Sequence, residues 1–145
     1  MKNQKSIKRN RVWILLNFIS LITGISLFYM VKIYHWPLSY LLFEVVLFAI
    51  FLISLNKAFI ITKFWKMVHA SSKNLDEREM QVVLKALRYA YGIFTIICLV
   101  IIYAFAIAES QPIDVILAGG LLYLAHTLPA AIVGWNEKVD LRHDG

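Results

Sequence analysis

Two side chains able to hold or move a proton lie inside long apolar stretches of this chain: Glu44 in LLFEVVLFAI and His126 in LLYLAHTLPA. A carboxyl or an imidazole in a hydrocarbon surrounding is costly, so each is a default candidate for proton or cation binding. Counted along a helix rising 1.5 Å per residue, Glu44 falls about 9 Å from the start of its apolar run at Leu38, and His126 about 20 Å from the start of its own at Ile113. The two are therefore not expected to pair. Ser26 and Tyr103 fall near the depth of Glu44, with Gly119 and Gly120; Asn17 and Thr95 fall near His126. Two polar layers are expected, an outer one of Ser26, Glu44 and Tyr103 and a deeper one of Asn17, Thr95 and His126. In the outer layer Glu44 is expected to be a neutral acid, turned to the interior and bonded to Ser26 or Tyr103. A neutral carboxyl costs far less there than an ionised one. His126 is expected to bond between helices.

Other chemistry finds little to build on. His126 has no second histidine three or four residues away, so no metal is expected. The single cysteine, Cys98, sits in an apolar run, where it is expected to be an unreactive core residue. The sequence has no HExxH, no GxSxG and no phosphate-binding loop. No acid, base and nucleophile converge, so the chain is not expected to be an enzyme, and no cofactor is implied.

The elements that must position these residues are long apolar runs. The chain of 145 residues is 60% hydrophobic, with a mean hydropathy of +0.68. Spans are expected at about 12–31, 38–57, 89–108 and 113–135, each near the length needed to cross a bilayer. Residues 58–88 form a polar segment between the second and third. The first run follows five basic residues (Lys2, Lys5, Lys8, Arg9 and Arg11). It is too long for an ordinary signal sequence and no A-x-A-like site follows, so it is expected to be a retained anchor. With four spans, fourteen of the fifteen lysines and arginines fall on one side and Lys32 alone on the other. The positive-inside rule then places both termini in the cytoplasm. The net charge of +6 sits beside the spans, so anionic lipid headgroups, not nucleic acid, are the expected counter-charge.

The stretch VKIYHWPLSY is the expected outer turn between spans one and two. Pro37 suits the first turn of a helix. Trp36, with Tyr34 and Tyr40, suits the headgroup level, beside Lys32 and His35. Pro112 is expected to open span four in the same way. In the polar segment, AFIITKFWKMV is expected to lie along the inner interface. Asp76 and Glu79 have capping-box spacing. The helix they open, with Arg78, Lys85 and Arg88 on a basic face, is expected to run on as span three. Ser20 and Gly24, and Ala130 and Gly134, are small pairs that let helices approach closely. Asn17, Ser20 and Gly24 share the face assigned to the interior. Pro129 is expected to kink span four and free the Ala125 carbonyl, for Thr127 or a neighbouring helix to satisfy.

KIYHWP followed by a helix carrying Glu44 resembles the hairpin of the two-helix membrane subunit of the type IX secretion and gliding motor. The resemblance covers about 25 residues. It implies a lysine, a histidine and a glutamate tied to proton-driven rotation, at Lys32, His35 and Glu44. LDEREMQVVLKALRYAYGIF is similar to segments of uncharacterised small bacterial inner-membrane proteins. The expectation is an all-α integral membrane four-helix bundle in the inner (plasma) membrane. Its expected role is that of a structural, accessory or regulatory subunit, with a membrane-protein partner or a second copy for company. The alternative is a proton-coupled transporter or channel component using Glu44 and His126.

Overall fold

The computed structural model describes residues 2–35, 37–71, 74–107 and 113–136, without the side chains of residues 2–6 and 38. All regular structure among them is helical. Four helical stretches are long and apolar enough to cross a membrane: Ile7–Tyr34, Leu41–Ile60, Glu77–Ile107 and Val115–Asn136. Trp36, Lys73, Glu109, Pro112, Lys138 and Arg142, and the expected end of span three at Ala108, lie outside the described residues.

Helix α1 (Lys2–Tyr34) starts well before the apolar run, so the basic tail is itself helical. It stops at His35, which takes a left-handed conformation with φ of 50°. Among non-glycine residues, histidine is one of those enriched in that region. Pro37 then opens a 3-10 turn (Leu38–Tyr40), closed by the Tyr40 N–H donating to the Pro37 carbonyl at 3.0 Å. Helix α2 (Leu41–Leu55) widens at its end into a π turn (Asn56–Ile60), in which the Ile61 N–H donates to the Asn56 carbonyl at 3.0 Å. This turn carries the span past Asn56 while Lys57 stays exposed.

A short helix, α3 (Phe64–Val68), follows Lys63, the second left-handed residue, with φ of 61°. Helix α4 (Glu77–Ile107) opens on the capping box. The Glu79 N–H donates to Asp76 Oδ1 at 2.7 Å, and the Asp76 N–H to Glu79 Oε2 at 3.3 Å. Its 31 residues extend about 46 Å, beyond the hydrocarbon thickness of roughly 30 Å. Helix α5 (Val115–Asn136) is capped by Asp114, whose Oδ1 accepts from the Ile116 and Leu117 N–H groups, each at 3.1 Å.

The four long helices do not contribute equally. Helix α1 packs between α2 and α5, and α4 packs chiefly against α5. The apolar core gathers at the end of the molecule where α1 starts and α5 finishes. There Ile14, Ala58, Phe59, Phe64, Met67, Val83, Ala86, Ala130, Ala131 and Val133 are buried together. The segment expected along an interface thus folds inward. Phe59, Phe64 and Met67 enter the core while Lys57, Lys63 and Lys66 stay exposed, because the apolar side chains share one face of the π turn and α3.

Glycine lets α5 sit this close. A Cβ on Gly134 would lie 2.9 Å from Asn10 Nδ2 and 3.0 Å from both Ile14 Cδ1 and Phe64 Cδ2. At the same end, Arg11 Nε and Nη2 donate to the Trp135 carbonyl at 3.1 and 2.7 Å. Its guanidinium lies 5.1 Å from the Trp135 ring centroid. A cation there meets the unpaired carbonyls and negative end of the helix dipole. At the opposite end, Lys32 pairs with Asp114 at 3.2 Å.

Candidate functional site

Three helices meet in a buried hydrogen-bonded knot centred on Asn17, which is 0% exposed. Asn17 Nδ2 donates to the Phe51 carbonyl and to Ser54 Oγ on α2, both at 3.2 Å. Its Oδ1 accepts from the Tyr123 hydroxyl on α5 at 2.6 Å. Ser20 Oγ donates back to the Asn17 carbonyl at 2.9 Å, and Ser54 Oγ to the Phe51 carbonyl at 2.9 Å. Asn17 is suited to the place because one amide offers donors to one helix and an acceptor to another.

Of the expected deeper layer, only Asn17 belongs to this knot. Thr95 Oγ1 donates to the Tyr91 carbonyl of its own helix at 2.8 Å. His126 is exposed, and its Nδ1 bonds the Leu122 carbonyl at 2.9 Å. The physical reason is azimuth and helix order: Thr95 sits on α4, outside the α1–α2–α5 contact, and His126 points away from it. His126 instead faces His69 of the α3 region, the two rings parallel within 1° at 6.3 Å, and His69 stacks on Trp65 at 4.1 Å. Thr127, also 0% exposed, donates to the Tyr123 carbonyl at 2.9 Å and not to Ala125. Its hydroxyl reaches back one helical turn, as threonine does in apolar helices.

Sequence reasoning missed Tyr123 and Ser54, and gave Thr127 a different partner. The four-residue spacing of Tyr123 and Thr127, on the helix face that also carries Gly120, was the available signal.

The outer layer of Ser26, Glu44 and Tyr103 does not form. Ser26 is exposed and Tyr103 is 66% exposed. Glu44 does turn inward, but onto Gly24 of α1: its Oε2 lies 3.4 Å from where a Cβ on Gly24 would be. Its Oε1 is buried without a hydrogen-bond partner. Tyr103 is out of play because α4 flanks α5 and leaves its outer half uncovered.

Glu44 lines a groove of about 520 Å³ between α1, α2 and α5. Leu21, Ile25, Phe28, Leu47 and Phe48 form its apolar sides, Gly119 widens it, Gly24 and Gly120 let Glu44 and Ile25 lie close, and Ser20, Phe51 and Tyr123 close its inner end. The hydroxyls at that end are committed to Asn17. Glu44 is thus the polar group at the outer end of an otherwise apolar slot.

The remaining candidates separate. Lys32 is paired with Asp114, whose carboxyl is held below the usual range, first by the Leu117 N–H and then by the neighbouring Tyr29 hydroxyl and Lys32 ammonium. The Tyr29 hydroxyl is buried without a partner in full hydrogen-bond geometry. His35 and Pro37 are exposed in the turn. Arg78, Lys85 and Arg88 are exposed on α4, and no carboxylate among the described residues pairs with them. The described residues hold no group of three or more histidine, cysteine, aspartate or glutamate side chains placed to hold a metal ion. Comparison with protein-family models, with curated proteins and with solved structures gives no match.

Proposed function

We propose that this chain is a multi-pass protein of the bacterial inner membrane, with both termini and the segment between α2 and α4 in the cytoplasm. Within that membrane it serves as a non-enzymatic structural, accessory or regulatory subunit acting through a membrane-protein partner or a second copy. The observation that carries this reading is the unequal use of the four helices. Three are tied by buried hydrogen bonds, while α4 leaves an apolar flank, including Ile96, Leu99, Val100 and Ile107, exposed. Contact of the α1 start with the α5 end, at Arg11 and Trp135, supports placing the two termini on one side. The lysine and arginine asymmetry supports calling that side cytoplasmic. Arg78, Lys85 and Arg88 then face anionic headgroups.

Two experiments test the reading. Reporter fusions after Lys73 and Arg142 should both read cytoplasmic, and one at Gln111 external. A photo-crosslinking residue at Leu99 should give one discrete protein adduct in native membranes. Lipid adducts alone would reject the subunit role.

A second reading keeps Glu44 as a proton or cation site, favoured by its unpartnered oxygen in the groove. It predicts that Glu44→Gln abolishes activity at normal protein levels. His126 does not join that site, since it lies at the α3–α5 contact.

A further inference from the structure

The groove is polar at one end only, and this asymmetry has a chemical meaning. Along α1 it runs from Phe28 to Ser20, eight residues, or about 12 Å. Its volume of about 520 Å³ lies within the usual range for small-molecule sites, which are mostly apolar with a few placed polar groups. The inner end offers an occupant no free hydroxyl, because Ser20 and Tyr123 are both engaged with Asn17. The outer end offers the Glu44 carboxyl, whose Oε2 lies beside the lining residue Gly24. Gly119 faces open space, with nothing within 4 Å of a Cβ placed on it. A molecule fitting these walls has one apolar chain and one hydrogen-bonding head, the head outermost.

We infer that the groove between α1, α2 and α5 binds a single-chain membrane alcohol, its hydroxyl bonded to Glu44 and its chain lying over Gly119 toward Phe51 and Tyr123. The head is a hydroxyl and not an ammonium because a neutral acid–alcohol pair needs no charge in hydrocarbon, whereas desolvating an ion pair there offsets much of its attraction. The hydroxyl both donates and accepts, so it satisfies either face of a carboxyl. A two-chain phospholipid fits less well, because a groove this short and narrow leaves its second chain outside and presents a charged phosphate to Glu44. The inference rests on the groove lying within the bilayer, as the four-span reading has it. The reporter fusions test that span arrangement independently of any ligand.

The test uses the full chain in lipid nanodiscs, with a diazirine-bearing decanol, whose chain matches the length of the groove, as probe and its methyl ether as the matched control. Adducts are mapped by mass spectrometry, and folding is followed by circular dichroism. The alcohol should label α2 and α5 residues of the groove, and unlabelled decanol should compete. The ether keeps an acceptor but loses the donor, and it should label about tenfold less, the size of one hydrogen bond in a buried site. Glu44→Leu should bring the alcohol down to the level of the ether, while Glu44→Gln keeps most of the labelling. Gly119→Leu fills the open space and should abolish labelling by both probes while leaving helicity unchanged. Equal labelling by alcohol and ether would overturn the inference, as would labelling that survives Gly119→Leu or Glu44→Leu in folded protein.

Discussion

Replacing Asn17 by leucine keeps the branched outline of the side chain and removes its amide. Three hydrogen bonds disappear, two donated to the Phe51 carbonyl and Ser54 Oγ and one accepted from Tyr123. Their losses are unequal. Ser54 Oγ still donates to the Phe51 carbonyl at 2.9 Å, so both α2 groups keep a partner. The Tyr123 hydroxyl loses the acceptor it held at 2.6 Å. Stranding one buried polar group costs about 1–3 kcal/mol, and that is the expected destabilisation of Asn17→Leu. Tyr123→Phe strands Asn17 Oδ1 and should cost about 1 kcal/mol. In the double variant neither group is stranded, so the two losses should fall short of adding by about 1–2 kcal/mol. That exceeds the average of about 0.6 kcal/mol for interhelical hydrogen bonds in a membrane, because this bond is short and its Asn17 end is fully buried. The assay is reversible unfolding of all four proteins in mixed micelles, followed by tryptophan fluorescence. Additive losses, with coupling below about 0.5 kcal/mol, would refute the claim that the pair ties α1 to α5.

Gly134→Ala should destabilise the fold by about 1–3 kcal/mol, since the new methyl meets α1 and α3 at once. Gly92→Ala, with nothing within 4 Å, should be neutral or stabilising by up to about 1 kcal/mol; equal shifts in midpoint would be inconsistent with the packing described. His35→Gly should be neutral or stabilising and His35→Val should cost about 1–2 kcal/mol, because the left-handed turn decides there and not the imidazole. Loss of a phenotype in His35→Gly at normal protein level would contradict this. Asp114, held below its usual pKa by the Leu117 N–H and its neighbours, should stabilise the fold above the ordinary carboxylate range and lose that contribution as pH falls through its lowered pKa. The stability gap between wild type and Asp114→Asn should therefore close below about pH 4; a gap that persists in acid would reject the assignment.

What could be read from the residues depended on which physical quantity was local. The Asp76–Glu79 box is a matter of three-residue spacing, and its bonds form as the spacing predicts. The four apolar helices follow from run length. The inward face of Asn17 and Ser20 follows from helical periodicity, and both are buried. The azimuth of one helix against its neighbours was not legible. Thr95 and His126 were set beside Asn17 by rise per residue alone, and no local rule states that α4 packs on α5 and not around the whole bundle. Tyr123 escaped notice for a different reason: tyrosine reads as apolar or interfacial in a sequence, and only its neighbours show that its hydroxyl points inward. The core role of Phe64 and Met67 was hidden by the lysines between them, which suit an interface equally well.

The position of α5 between α1 and α4 has a consequence for how the chain comes into being. Helix α5, made after the other three long helices, is the one on which α1 and α4 dock, through Tyr123, the Ala130–Gly134 stretch and the Trp135 carbonyl. Until it emerges, α4 lacks its main partner, and Asn17 lacks the hydroxyl that will engage it. The first two helices can pair early, but the polar knot and the apolar core close only once α5 has been made. A ribosome that stops before about residue 115 would leave α1 paired with α2 but α4 without its main partner. Insertion and assembly are therefore separate events in this protein, and the interval between them is when a membrane chaperone or protease would meet it.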